Sequence, residues 1–123
     1  MGSYRSLLAW QKAQELATAC GRIARTFPGA ERNPLASQLM RACISTPLNI
    51  AEGSARRGST EFRRFLDIAR GSLHETQTAL DLARGFGYLR EDEFKTLDDL
   101  ATETGKILWG LLRSVSRSTR PPS

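Results

Sequence analysis

Histidine is almost absent from this sequence: one residue, His74, stands among 123. A two-metal site in a helical bundle draws Glu-x-x-His pairs from its helices, and the residue three before His74 is Gly71, so that chemistry fails on inventory. Cysteine is scarce too. Cys20 and Cys43 lie far apart among aliphatic neighbours, which reads as two free thiols in a reducing compartment and not as a disulfide framework. A Cys43 and His74 pair would be a nucleophile and base with no third group to orient them. Glycine-rich phosphate loops are missing, because Gly85-Phe86-Gly87 and the segment 105–110 lack the required Lys and hydroxyl spacing. The longest apolar run, residues 107–112, is far below the roughly 20 residues of a spanning helix. The first eight residues hold neither a long apolar core nor a small-residue cleavage site. These absences predict a soluble, cytoplasmic, non-enzymatic protein without metal, cofactor or membrane partner.

Lysine is the remaining scarcity. The 18 basic residues outnumber 13 acidic ones for a net charge of +5, yet only three of the 18 are lysine. The other fifteen are arginines, whose planar forks suit bidentate phosphate contacts. With 40% hydrophobic and 25% charged residues, the chain has the composition of one folded domain, predicted over residues 1–117 with a flexible tail at 118–123.

Turn signals divide that domain into four helical segments and leave almost nothing that reads as strand. Phe27-Pro28-Gly29-Ala30 ends the first, and Asn33-Pro34 opens the second as an N-cap followed by proline at the first helical position. The stretch 53–59 separates second from third, with Ser59 or Thr60 expected as the cap. Gly85-Phe86-Gly87 ends the third in the manner of a glycine C-cap. Glu91, Asp92 and Glu93 then put negative charge on the first turn of the fourth, where the helix dipole favours it.

Periodicity supports the same division. Phe62, Leu66, Ala69, Leu73, Thr76, Leu80 and Ala83 step by fours and threes through the third segment. Phe94, Leu97, Ala101, Thr104, Leu108, Leu111 and Val115 do so in the fourth, and Ala13, Leu16, Cys20, Ile23 and Phe27 in the first. Long helices with short connections predict an all-α fold, an antiparallel up-down-up-down four-helix bundle. Apolar residues also lie off these stripes: Trp10, Ala17 and Ala24, then Ile44, Leu48 and Ile50, then Leu100, Ile107 and Leu112. A second apolar stripe is what a homo-oligomer needs, with a wide core face as the alternative. The second segment holds Pro47 in its interior, where the ring removes one backbone bond and should bend the helix. Around it Gln38, Arg41, Ser45, Asn49 and Glu52 form a polar stripe. It reads as an interhelix or intersubunit hydrogen-bonded network, with a ligand-lining groove as the alternative.

In an up-down bundle the charge divides unequally between the ends. Residues 1–15, 46–68 and 106–123 hold ten positive and four negative side chains, net +6, and the opposite end is left at −1. The basic pole contains Arg5, Lys12, Arg56, Arg57, Arg63, Arg64, Lys106, Arg113, Arg117 and Arg120. Arg56, Arg57, Arg63 and Arg64 bracket the start of the third helix, whose unpaired N–H groups already favour an anion. Together with Arg113, Arg117, Arg5 and Lys12 they are the expected contacts to an RNA or DNA phosphate backbone, with a merely solvated surface as the alternative. Tyr4, Trp10, Phe62 and Phe65 lie near this pole and offer stacking surfaces, although packing explains the last three as well. No base-reading motif accompanies the arginines, so shape and charge rather than sequence should guide binding.

Motif residues along the chain support a family resemblance. Trp10-Gln11-Lys12-Ala13, Phe27-Pro28, Glu31-Arg32, Leu35, Gln38-Leu39, Arg41-Ala42 and Ser45 lead into Pro47-x-Asn49-Ile50-Ala51-Glu52-Gly53, followed by Arg56, Glu61-Phe62, Phe65-Leu66 and Ala69-Arg70-Gly71-Ser72-Leu73. This pattern resembles the four-helix bundle family named after proteins encoded in intervening sequences of bacterial 23S ribosomal RNA genes. It runs from about Leu7 to Arg117, and Thr46 departs from the isoleucine usual before that proline. The resemblance implies an antiparallel bundle, assembly as a ring-like homopentamer, and no established catalysis. A more distant similarity, to the accessory variability determinant of diversity-generating retroelements, implies a reverse transcriptase as an alternative partner. In a pentameric ring the basic pole would repeat around one rim.

Overall fold

The computed structural model of the chain describes residues 3–118, and among these every regular element is helical. After a single 3₁₀ turn at Tyr4–Ser6 come α1 (Leu8–Ala24), α2 (Pro34–Ser54), α3 (Ser59–Gly85) and α4 (Glu91–Ser118). Of the tail expected at 118–123, Ser118 is the last residue of α4, and residues 119–123, with Arg120, lie outside the described residues.

Local chemistry accounts for the boundaries. The Asn33 side-chain oxygen accepts from the backbone N–H of Leu35 at 2.9 Å and of Ala36 at 3.2 Å, so α2 starts at Pro34 with two of its otherwise unpaired donors satisfied. The Asn33 amide also donates to the Pro28 carbonyl at 2.8 Å and to the Tyr88 hydroxyl at 3.3 Å, tying the α1–α2 turn to the end of α3. Asn33→Ala should therefore cost about 1 kcal/mol or slightly more. Denaturant unfolding reads this directly, and an unchanged midpoint would show that Pro34 alone sets the helix start. At the end of α3, Gly87 takes φ +77°, Tyr88 N–H donates to the Ala83 carbonyl, and Gly87 N–H donates to Arg84, the paired bonds of a Schellman cap. The start of α3 departs from expectation. Gly58, at φ +84°, occupies the cap position and no side chain bonds there, so neither Ser59 nor Thr60 caps the helix. Ser59 already has helical geometry, and the left-handed turn that brings the chain round suits glycine alone. At α4, the Glu93 carboxylate accepts from the Arg90 backbone N–H at 2.9 Å, the reciprocal bond of a capping box.

Packing follows the periodic stripes. Leu16 and Cys20 from α1, Leu39 and Ile50 from α2, Leu66, Ala69 and Leu80 from α3, and Ala101 and Leu108 from α4 are among the residues sealed in one core. Helix α1 lies against α2 and α4, α3 lies against the same two, and the diagonal pairs bring no Cα atoms within 8 Å. Gly53, in the last turn of α2, sits directly on Phe62 and Phe65 at the start of α3. Thr46, Thr76 and Thr104 are buried, and each hydroxyl donates to the carbonyl four residues earlier, so they enter the core without an orphaned polar atom.

One expectation is corrected by this packing. Ala24, Ile50 and Leu112, read as off-stripe, belong to the core of the single chain, because each helix contacts two neighbours and needs a wider apolar face than one seam provides. Ile44 and Leu48 do stay exposed, as do Ile68 and Leu82 on α3. Helix α2 continues through Pro47.

Candidate functional site

Helical spacing on two neighbouring elements builds a strongly basic groove. On α3, Arg63, Asp67 and Arg70 recur at four and three residues, which stacks them along one face. On α4, Trp109, Leu112, Arg113, Ser116 and Arg117 do the same. These residues line an open groove of about 500 Å³ between the two helices. The Arg70 guanidinium lies 4.7 Å from the centroid of the Trp109 ring, and 44% of Trp109 remains exposed. Within the described residues none of the four arginines forms an ion pair. Asp67 is the one carboxylate in the lining, so the groove is strongly positive.

The arginines expected to act together are divided by this geometry. Arg63 faces the α3–α4 groove with Arg113 and Arg117, which the sequence had placed at the same pole. Arg57 is exposed. Arg56 is drawn to Glu52 at 2.7 Å and Arg64 to Glu61 at 3.3 Å, and their guanidinium carbons lie 5.0 and 4.5 Å from the centroid of the Phe65 ring. The Arg64 guanidinium, by hydrogen bond and charge, lowers the Glu61 carboxyl below its ordinary range. Helical i,i+3 and i,i+4 spacing brings each acid to its arginine, so these two cations are partly neutralised before any ligand arrives. Lys12 is corrected more fully. Its ammonium sits 3.2 Å from Glu103 on α4 and 3.6 Å from Glu15, and these carboxylates raise its pKa, Glu103 foremost. It links α1 to α4. Arg5 remains exposed, with its guanidinium 4.9 Å from the Tyr4 ring centroid.

Stacking surfaces also differ from expectation. Tyr4 and Trp10 pack edge to face on each other at 5.1 Å, Phe65 is buried and Phe62 is half-buried. The exposed aromatic at the groove is Trp109, and the missed partner is Arg70. Their signal was legible as Trp109-x₃-Arg113-x₃-Arg117 beside Arg63-x₃-Asp67-x₂-Arg70, two polar stripes running off the apolar ones.

Only part of the polar stripe on α2 forms a network. The Asn49 amide donates to the Ser45 hydroxyl at 3.0 Å, Ser45 and Ser72 Oγ atoms lie 2.7 Å apart, and the Ser72 hydroxyl donates to the Ile68 carbonyl at 3.2 Å. Proton counting orders the chain: with Ser72 donating onward, Ser45 donates to Ser72 and accepts from Asn49. This relay joins α2 to α3. The Gln38 and Arg41 side chains are exposed and form no hydrogen bond among the described residues, while Glu52 is held by Arg56, so these three stand outside it.

Burial determines the chemistry of the thiols. It pushes Cys20 up to about 12, aided by the neighbouring Cys43, and Cys43 up to about 11. His74, by contrast, is exposed on α3. Native protein at pH 8 should therefore resist alkylation by iodoacetamide, and the unfolded chain should react at both sites; rapid native labelling would contradict the packing. Because the folded values are raised, the thiols favour the fold below the ordinary value of 9.0, and that contribution is lost as pH climbs toward 11 and 12. No group of three or more His, Cys, Asp or Glu that could hold a metal occurs among the described residues. No helix among them is long and apolar enough to cross a membrane.

The arrangement of four helices with this core matches a known family. The profile of the 23S rRNA-intervening sequence proteins matches residues 5–110. The chain belongs to that family. The fold of this 23S rRNA-intervening sequence family member is shared by a solved structure from Bacteroides thetaiotaomicron, described as a protein of unknown function from the S23 ribosomal protein family. The two align with a TM-score of 0.78 over 86% of this chain and 96% of the other, at 20% identity. No curated protein sequence matches the chain.

Proposed function

We propose that this family member is a non-catalytic RNA-binding protein that grips phosphates through its basic pole. The observation that carries the reading is the α3–α4 groove, where Arg63, Arg70, Arg113 and Arg117 converge without acidic partners in ion-pair range among the described residues. Folding has set these four charges against a single carboxylate, Asp67, and phosphate oxygens are the complementary ligands for the surplus. Membership in a family named for intervening sequences of ribosomal RNA supports RNA over DNA. The inaccessible thiols and the exposed, unassisted histidine support a binding role over catalysis.

We read the helices as an antiparallel up-down-up-down bundle. Lys12 near the start of α1 meets Glu103 in the second half of α4, Gly53 at the end of α2 meets the start of α3, and Asn33 before α2 meets Tyr88 beyond α3, all of which support that direction of travel. Copies of the bundle associate as a ring-like homopentamer. Exposed Ile44 and Leu48 on α2, with Ile68 and Leu82 on α3, favour such association. The ring multiplies the basic grooves around one rim, which raises avidity for a long strand.

A salt titration of RNA affinity tests the reading. With three or four phosphates neutralised per groove, log K should fall against log salt with a slope of about −2 to −3 for single strands. A flat profile, or no binding at low salt, overturns it. Light-scattering mass should give five chains, and a monomer at micromolar concentration would remove the ring.

A further inference from the structure

The α3–α4 groove contains something that backbone electrostatics does not require. Phosphate binding calls for cations alone, and arginines on a solvated helix face would supply them. Here a tryptophan, 44% exposed, sits among the arginines with Arg70 stacked 4.7 Å from its centroid. Exposing an indole to water forgoes the burial that the other large side chains of α4 obtain, as Leu108 and Leu112 do one residue before and three after. Packing therefore does not account for Trp109. Its indole and the Arg70 guanidinium are both planar and both able to stack on a nucleobase.

We infer that the groove is a nucleotide pocket for single-stranded nucleic acid, in which an unpaired base stacks on the Trp109–Arg70 platform while Arg63, Arg113 and Arg117 hold the flanking phosphates. The inference rests on the RNA-binding reading and narrows it from any polyanion to unpaired bases. Geometry agrees with the assignment. The groove holds about 500 Å³, within the range of sites that accept a small organic ligand. Arg113 and Arg117 follow Trp109 at four and eight residues, so they rise along α4 from the platform at about 6 Å per step. That spacing is comparable to the distance between successive phosphates of an extended strand. A duplex keeps its bases stacked on one another, leaving the platform nothing to receive. Asp67 offsets one of the four positive charges and leaves the pocket net positive.

The experiment compares the full-length protein and its Trp109→Ala and Trp109→Phe variants against a 12-nucleotide RNA, single-stranded and as a duplex. The wild type should prefer the single strand. Trp109→Ala should weaken single-strand binding about tenfold and leave the duplex unchanged, and Trp109→Phe should retain most of the affinity. In a Trp10→Phe background, the remaining indole fluorescence should be quenched by the single strand alone. Equal single-strand affinity in Trp109→Ala, with salt dependence intact, overturns the base platform and leaves the RNA-binding reading standing. No binding of either RNA by the wild type overturns both. Equal weakening of both RNAs, or a change in oligomer mass on Trp109→Ala, assigns Trp109 to structure or assembly and likewise overturns the pocket.

Discussion

Arg63→Glu, Arg113→Glu and Arg117→Glu in one chain should abolish RNA binding at physiological salt while leaving the helical content and unfolding midpoint near those of the wild type. The side chains are exposed and form no ion pairs among the described residues, and the hydrogen bond that is lost, from Arg117 Nε to the Arg113 carbonyl at 3.5 Å, is long and exposed, so reversing them removes little that holds the fold. Losing three phosphate contacts removes about 2 from the salt slope, and the wild type should lose roughly 20-fold in affinity between 50 and 200 mM salt where the variant shows little change. The reversed charges also repel the strand, which deepens the loss beyond simple deletion. A matched control sharpens the result. Arg56→Gln with Arg64→Gln should bind nearly as well as the wild type, because those arginines already face Glu52 and Glu61. If the control loses binding and the triple variant keeps it, the phosphate site lies at the start of α3 and the groove is not involved.

Gly53→Ala should lower the melting temperature by roughly 8 °C, although alanine is the better helix former by about 1 kcal/mol. A methyl group at Gly53 would stand 2.7 Å from the Phe65 Cβ, 3.0 Å from the Phe62 Cδ1 and 3.3 Å from the Phe62 carbonyl oxygen. The nearest atom is a Cβ, which no rotamer can withdraw, so relief requires α2 and α3 to move apart. Overpacking of this kind costs about 1–3 kcal/mol. Because the side chain to blame is fixed at its root, Phe65→Leu should not rescue Gly53→Ala. Calorimetry measures both, and an unchanged or raised transition would mean the two helices separate at negligible cost. Gly21, whose added methyl would meet only the flexible Met40 side chain at 3.6 Å and beyond, provides the contrast: Gly21→Ala should be neutral or stabilising.

Much of the fold was readable from local rules. The stripe through Leu66, Ala69, Leu73, Thr76, Leu80 and Ala83 is buried throughout, because a 3.6-residue period places those side chains on one face whatever lies opposite. Asn33-Pro34 and Gly85-Phe86-Gly87 mark helix ends for reasons contained in a few residues. The role of Gly58 is not legible locally, because the hydroxyls of Ser59 and Thr60 are good caps and only the path of the chain between α2 and α3 decides which residue stands at the boundary.

The candidate site was legible in part. Arg63, Arg113 and Arg117 could be assigned to one pole once the helices were folded back on one another. Their meeting in a groove depends on which faces of α3 and α4 adjoin, and a charge count along the chain does not report a rotation about a helix axis. The same limit applied to Lys12, whose partner Glu103 lies on another helix. Trp109 by itself carries no distinguishing signal in the sequence, because it falls beside the apolar stripe, next to buried Leu108.

By itself the sequence determined the helices, most of their ends, most of the core, the family pattern and the surplus of arginine. These follow from interactions between residues close along the chain. Spacing along the chain already draws Arg56 and Arg64 to their acids, whereas the tertiary structure alone decided that Arg63, Arg70, Arg113 and Arg117 meet in one groove and that Lys12 is held by Glu103, because those meetings depend on distances between helices. The mild net charge of +5 thus becomes one groove, where four arginines and an exposed tryptophan face outward together.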